Sequence, residues 1–362
     1  MDFPFYDINI SYEENWRKGP PVASKNVDIP KRSAKKRKKF LGFDVNSLFG
    51  IPAGPLLNSD FMKAAFDWGF DVSTYKTVRS AFFPCHPHPN VLFVDSPEDL
   101  HPEKTPRLTA VKKHKKHHSE VSITNSFGVP SQDPEIWQKD VRKALAHAKD
   151  GQLLILSFMG TVRKDQTQKE FINDFAKAAR RALETGAKVL EVNLSCPNLG
   201  NEGLVCYDLE MTKKICQAIR KVIGSTPLLI KIGYYKNEKD LLRLAQITNE
   251  YANGVAAINT LQVEIVDKKG RQALPGKMRL RSGVCGKSIR WAGLETVKKL
   301  NNIRLKNNFD FVIVGVGGVM TAGDYLEYRK SGADLVQSAT GAMFNHYLAH
   351  EIFQSEKCDY LF

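Results

Sequence analysis

The chain has 362 residues, 42% of them hydrophobic and 25% charged, and its 53 Lys and Arg against 39 Asp and Glu give a formal net charge of +14. That length and apolar content suit one large α/β barrel or two medium domains, and they exclude whole-chain disorder. No run of 18 apolar residues is present, so no membrane span is expected.

Residues 1–45 are polar and basic without clear periodicity, and they read as an N-terminal arm lying on the main body. The N-terminus lacks the basic-then-apolar order of a secretory signal, and the C-terminus carries no evident address or lipidation motif. From 46 to 362, short apolar runs alternate with amphipathic stretches. Strands are predicted at 50–54, 72–77, 121–125, 153–158, 189–194, 228–232, 255–260, 311–315 and 333–338. Helices are predicted at 171–185, 208–223, 239–251, 291–301 and 322–331. Alternating strands and helices imply parallel pairing, and near-continuous apolar strands imply burial on both faces.

Nine strands are one too many for an eight-stranded barrel. The 121–125 candidate is set aside because it follows a long insertion, about 78–120, rich in Pro, His and Lys and read as a lid over the strand ends. The remaining eight units define a TIM (β/α)8 barrel, a fold that usually takes about 250 residues.

Six cysteines, at 85, 196, 206, 216, 285 and 358, form no C-x-x-C pair. Neither a zinc site nor a disulfide framework is expected, no metal is assigned, and a reducing cytoplasm is the natural compartment. Two basic runs, Lys31-Arg32 with 35–39 and 112–118, read as solvated surface. The sharper alternatives are nucleic-acid contact or a nuclear address for the first and metal binding for the His-rich second. Neither run is interleaved with aromatics, which gives nucleic acid little support.

Polar residues recur where the apolar strands end: Lys76-Thr77, Ser157, Asn193 with Ser195-Cys196, Lys231, Asn259-Thr260, Gly317-Gly318 and Thr340-Gly341. In a βα barrel all these ends share one rim, where active sites sit. Buried charges and amides need partners, and a ligand can be that partner. The loop Asn193-Leu194-Ser195-Cys196-Pro197-Asn198 offers two amides to a planar, imide-like ligand and a thiol able to move a proton. A buried structural cysteine beside a turn remains the alternative for Cys196 taken alone.

Gly317-Gly318 after the seventh strand and Ala339-Thr340-Gly341 after the eighth form a phosphate site, because glycine lets backbone N–H groups approach phosphate oxygens. Phosphate there, with lysines at two strand ends, suggests a phosphorylated cofactor across the barrel mouth. Flavin mononucleotide (FMN) fits, with Lys231 near the edge that becomes negative on reduction. Pyridoxal phosphate with a Schiff-base lysine is the rival, and it does not need the Asn/Cys loop.

These pieces, with Ile51-Pro52-Ala53-Gly54-Pro55-Leu56, Asn125-Ser126-Phe127-Gly128-Val129-Pro130 and Ile258-Asn259-Thr260, resemble the dihydroorotate dehydrogenases, most closely the soluble class 1 branch. The pieces occur in the family's order over about residues 45–350. The resemblance implies FMN-dependent oxidation of (S)-dihydroorotate to orotate in pyrimidine biosynthesis, with Cys196 as the base that takes the C5 proton. It implies that Lys76, Asn125, Gly128, Val129, Asn193, Asn198, Asn259 and Thr260 hold the substrate. Ala53, Gly54, Lys76, Thr77, Asn193, Lys231, Gly286, Gly317, Gly318, Ala339 and Thr340 match the FMN shell. Two departures stand out: Ala339 where the family usually has Gly, and Val316 in place of a small polar residue.

The resemblance further implies a homodimer passing electrons to fumarate, with NAD through an iron–sulfur partner subunit as the other route. Residues 200–208 look more like the fumarate-using group. Two other flavin barrels compete, a tRNA-dihydrouridine synthase and a dihydropyrimidine dehydrogenase-type enzyme. The first has a different cysteine loop and an RNA-binding module, and the second has iron–sulfur cysteine sets absent here. A non-enzymatic binding protein would require the strand-end polar set to be accidental.

Overall fold

The computed structural model describes residues 5–24, 37–113, 117–196 and 203–358. Eight parallel strands, Phe49–Gly50, Val72–Val78, Leu153–Phe158, Val189–Asn193, Leu228–Ile232, Gly254–Ala257, Val312–Val316 and Leu335–Gln337, follow one another round a single sheet. The first strand pairs with the eighth through Val336 and Phe49. On its other side, Ile51 O accepts from Thr74 N at 2.8 Å, which brings the second strand against it and closes a TIM (β/α)8 barrel. The closure leaves no room at Gly50: a Cβ there would lie 1.8 Å from Val72 O. All eight predicted barrel strands are present, with ends shifted by a few residues.

Two hydrophobic clusters hold the barrel. One lies inside it: Val72, Leu153, Ile155, Val189, Leu229, Ala256, Val314 and Leu335 meet Phe40 and Val45. Those last two belong to the hairpin Lys38–Phe40/Phe43–Val45, which stoppers the N-terminal end of the barrel. The other lies between strands and helices. The helix Gln168–Leu183 shows why such elements form. Thr167 and Glu170 make a capping box at its start, and Phe171, Phe175, Ala178, Ala179 and Ala182 share its buried face. The helices Leu209–Ile223, Glu238–Tyr251, Arg290–Asn307 and Ala322–Lys330 match the other predicted stretches. Ser59–Asp67 and Pro134–His147 are further helices, outside the predicted stretches; Trp137, Val141 and Ala144 give the latter a stripe only one side chain wide.

The insertion differs from a simple lid. Its strands Val91–Asp95 and Arg107–Val111, with Ser122–Asn125, join Leu261–Val266 and Arg281–Gly286 in a second, closed five-stranded sheet. Two of its five strands come from the segment after the sixth barrel strand, where no strand is predicted. The 121–125 candidate belongs to this layer and not to the barrel.

In the arm, Phe5, Tyr6, Ile8, Tyr12 and Val22 are buried in the main core, and Tyr12–Lys18 is a helix capped by Ser11. Lys31, Arg32, Lys35 and Lys36 lie outside the described residues. Lys38 and Lys39 of the same run pair with Glu356 and Asp44 at 2.5 and 2.8 Å. Among the described residues no helix is long and apolar enough to cross a membrane, and no group of three His, Cys, Asp or Glu is placed to hold a metal.

Candidate active site

The C-terminal ends of the barrel strands and the second sheet enclose a cavity of about 430 Å³. Ala53, Gly54, Lys76 and Thr77 line it from the first two strands, and Asn193 and Lys231 from the fourth and fifth. Asn259 and Thr260 follow the sixth strand, and Gly317, Gly318, Ala339 and Thr340 follow the last two. The second sheet adds Asn125 and Gly286, and the loop after its Ser122–Asn125 strand adds Gly128 and Val129. Cys196 is not on the wall, and Asn198 lies outside the described residues.

Each wall has a local cause. Asn193 turns its side chain back to accept from Ser195 N at 3.0 Å, which fixes the start of the cysteine loop. Gly286 adopts φ 97, and a Cβ there would meet Val121 O at 2.3 Å, so the sheet packs only around glycine. Gly317 and Gly318 adopt φ 125 and 68, a region that side-chain-bearing residues avoid, and this brings bare backbone to the cavity wall. Asn125 Nδ2 donates to Cys285 Sγ at 3.4 Å, which fixes the amide at the cavity wall.

Two lysines are buried here. Lys76 packs against Phe127, its Nζ 5.9 Å from the ring centroid, and burial pulls its pKa down to about 8. Lys231 Nζ is buried with no hydrogen-bond partner among the described residues. Burial lowers its pKa, and the charge of Glu191 on the neighbouring strand opposes that. Glu191 is pushed up by the same burial and drawn back by Lys231.

Cys196 is buried, and its Sγ donates to Asn193 O at 3.4 Å. Burial pushes the thiol up to about 12, and the Arg79 guanidinium is the cation that opposes this.

Sequence reasoning missed two arginines. Arg79 and Arg279 are 5% and 2% exposed and grip the loop that carries Gly128 and Val129. Arg279 donates to Ser126 Oγ at 3.1 Å, Ser126 O at 2.8 Å and Pro87 O at 2.8 Å, tying three segments together. The available signal for Arg79 was an arginine directly after a strand buried at every position. Arg279 had none.

A closed parallel βα barrel with polar strand ends converging on one cavity defines a (β/α)8-barrel enzyme. The family model described as "Dihydroorotate dehydrogenase" matches residues 98–356. The chain is 36% identical over 364 residues to a dihydroorotate dehydrogenase of Dictyostelium discoideum, covering 98% of each chain. It is 27% identical over 238 residues to a dihydroorotate dehydrogenase B (NAD(+)) catalytic subunit of Methanocaldococcus jannaschii, 65% of this chain and 70% of that one. It is 29% identical over 188 residues to a dihydroorotate dehydrogenase A (fumarate) of Limosilactobacillus reuteri, 51% of this chain and 56% of that one. The chain belongs to the dihydroorotate dehydrogenase family, and it is an oxidoreductase.

Proposed function

We propose that this enzyme oxidises (S)-dihydroorotate to orotate with bound FMN, that Cys196 is the general base, and that fumarate is the electron acceptor. The observation that carries the reading is the shared wall: Lys76, Asn125, Asn193 and Asn259 face one cavity with Lys231 and the Gly317-Gly318 backbone.

The residues fit FMN on two counts. Lys231 Nζ is buried without a hydrogen-bond acceptor among the described residues, as a residue placed to meet a ligand oxygen would be. Gly317 and Gly318, held at φ 125 and 68, bring bare backbone to the cavity wall, where N–H groups can approach phosphate oxygens. When bound, FMN supplies the acceptor for the hydride that leaves substrate C6. The chain does the rest. Lys76 as the ammonium holds the substrate carboxylate, and the asparagine amides hold the two edges of the ring, each able to donate and accept. Cys196 as thiolate takes the C5 proton. Its thiol is turned to the Asn193 carbonyl, so proton transfer requires the side chain to leave that bond for the cavity.

Fumarate as acceptor rests on the likeness of residues 200–208 to the fumarate-using group, and those after 202 begin the described chain again. The alternative is another pyrimidine or a tRNA uridine as substrate. Anaerobic reduction by L-dihydroorotate followed by reoxidation with fumarate or NAD tests both parts. Reoxidation by NAD alone would remove fumarate, and reduction by dihydrouracil but not dihydroorotate would move the substrate.

A further inference from the structure

Arg79 lies directly beyond the end of the second barrel strand, and its side chain turns under the loop that follows Asn125. Nε donates to Val129 O at 2.8 Å and Nη2 to Gly128 O at 3.1 Å. Nη1 donates to Gly160 O at 3.0 Å and Thr161 Oγ1 at 3.1 Å. The guanidinium also lies 4.1 Å from the centroid of Phe83. Its own backbone is anchored, since Arg79 N donates to Ser131 Oγ and Arg79 O accepts from Trp137 Nε1. Thus one planar fork reads two consecutive carbonyls of the loop and ties them to the end of the third barrel strand.

Those two carbonyls belong to an unusual pair of residues. Gly128 has φ 76 and Val129 has φ 53. A β-branched residue in the left-handed region is strained, and it persists only where the surroundings over-determine it. In a trans peptide the N–H points opposite to the C=O. With Gly128 O held by Arg79, the Val129 N–H is turned the other way, on the cavity side of the loop. It makes no backbone hydrogen bond among the described residues, and Pro130 supplies no N–H of its own.

We infer that Arg79 is a positioning residue: it holds the Gly128–Val129 peptide in its left-handed conformation so that the Val129 N–H stands ready as a donor to an oxygen of the anionic pyrimidine. The inference rests on the proposed substrate class for the ligand, but the hold on the loop does not. Lysine cannot replace this function, because a single ammonium cannot span four acceptors on two loops in a plane.

The test uses the full-length protein and the variants Arg79→Met and Arg79→Lys. Calorimetric titration with orotate should give a Kd at least tenfold weaker in Arg79→Met and intermediate in Arg79→Lys, with FMN content kept. Hydrogen exchange reads the loop directly, through the Ser126 amide bonded to Asn90 O and the His86 amide bonded to Phe127 O. Both should exchange at least tenfold faster in Arg79→Met. If Arg79→Met does not fold, Arg79→Lys carries the same two readouts. Unchanged orotate affinity together with unchanged exchange overturns the inference. A wild-type protein that ignores orotate removes the functional reading instead, and exchange then decides the role of Arg79 in holding the loop.

Discussion

Glu191 and Lys231 are diagonal neighbours on adjacent barrel strands, in a register that pairs Leu229 with Glu191 and Lys231 with Asn193, and both are sealed from solvent at 1% and 5% exposure. The two form no close ion pair among the described residues, yet the charge of Lys231 and then the Ser157 hydroxyl draw Glu191 down against burial, and the charge of Glu191 is what opposes burial at Lys231. Breaking a buried pair by removing one partner costs more than the pair itself contributes, because it strands the other charge. Glu191→Gln is therefore expected to lower folding stability by about 3 kcal/mol. Denaturant unfolding of both proteins measures it, and a loss below about 0.5 kcal/mol would mean that Lys231 sheds its charge without cost.

Cys196→Ser should keep orotate binding and slow flavin reduction by about 10²- to 10⁴-fold, the usual contribution of a positioned base. The pH dependence has a definite sign. In the proposed role the thiolate is the active form, and burial pushes the thiol up to about 12. Reduction at saturating substrate should then climb about tenfold per pH unit through neutrality. Stopped-flow reduction between pH 6 and 9 reads this, and a flat profile in the wild type would point to another base.

Lys76 has the opposite sign. In the proposed role its ammonium is the binding form, and burial brings its pKa down to about 8. Affinity for orotate should be constant below that pH and fall as the proton is lost above it. In Lys76→Met binding should be weak throughout, and the step near pH 8 should vanish. A step that survives in the variant belongs to some other group.

Gly50→Ala tests the seam of the barrel. The added Cβ would press on the backbone carbonyl of Val72, which cannot move without disturbing the strand pairing. Overpacking of a rigid site costs roughly 1–3 kcal/mol. Thermal unfolding should show a clear drop in Tm, and an unchanged Tm would mean that the first strand can shift away.

The barrel was legible because its strands are buried on both faces, as Leu153–Phe158 and Leu228–Ile232 show at every position. The second sheet was not. Arg281–Gly286 alternates buried with partly open residues, and its partner Ser122–Asn125 lies far away in sequence, so only the folded chain brings them together. The strand-end polar set could be read because a barrel sends all such ends to one rim. Arg279 could not, and Arg79 only through its place directly after a buried strand, since their partners are mostly backbone carbonyls, which carry no sequence signal. The inward turn of Cys196 depends on one hydrogen bond to Asn193 O and was equally hidden.

The most direct measurement is anaerobic titration of the purified protein with L-dihydroorotate while the visible flavin spectrum is followed. A yellow protein that bleaches in proportion to added substrate is the expected result. A protein that stays yellow, or one that is colourless and takes up no FMN, would contradict the reading of the cavity as a flavin site for dihydroorotate oxidation.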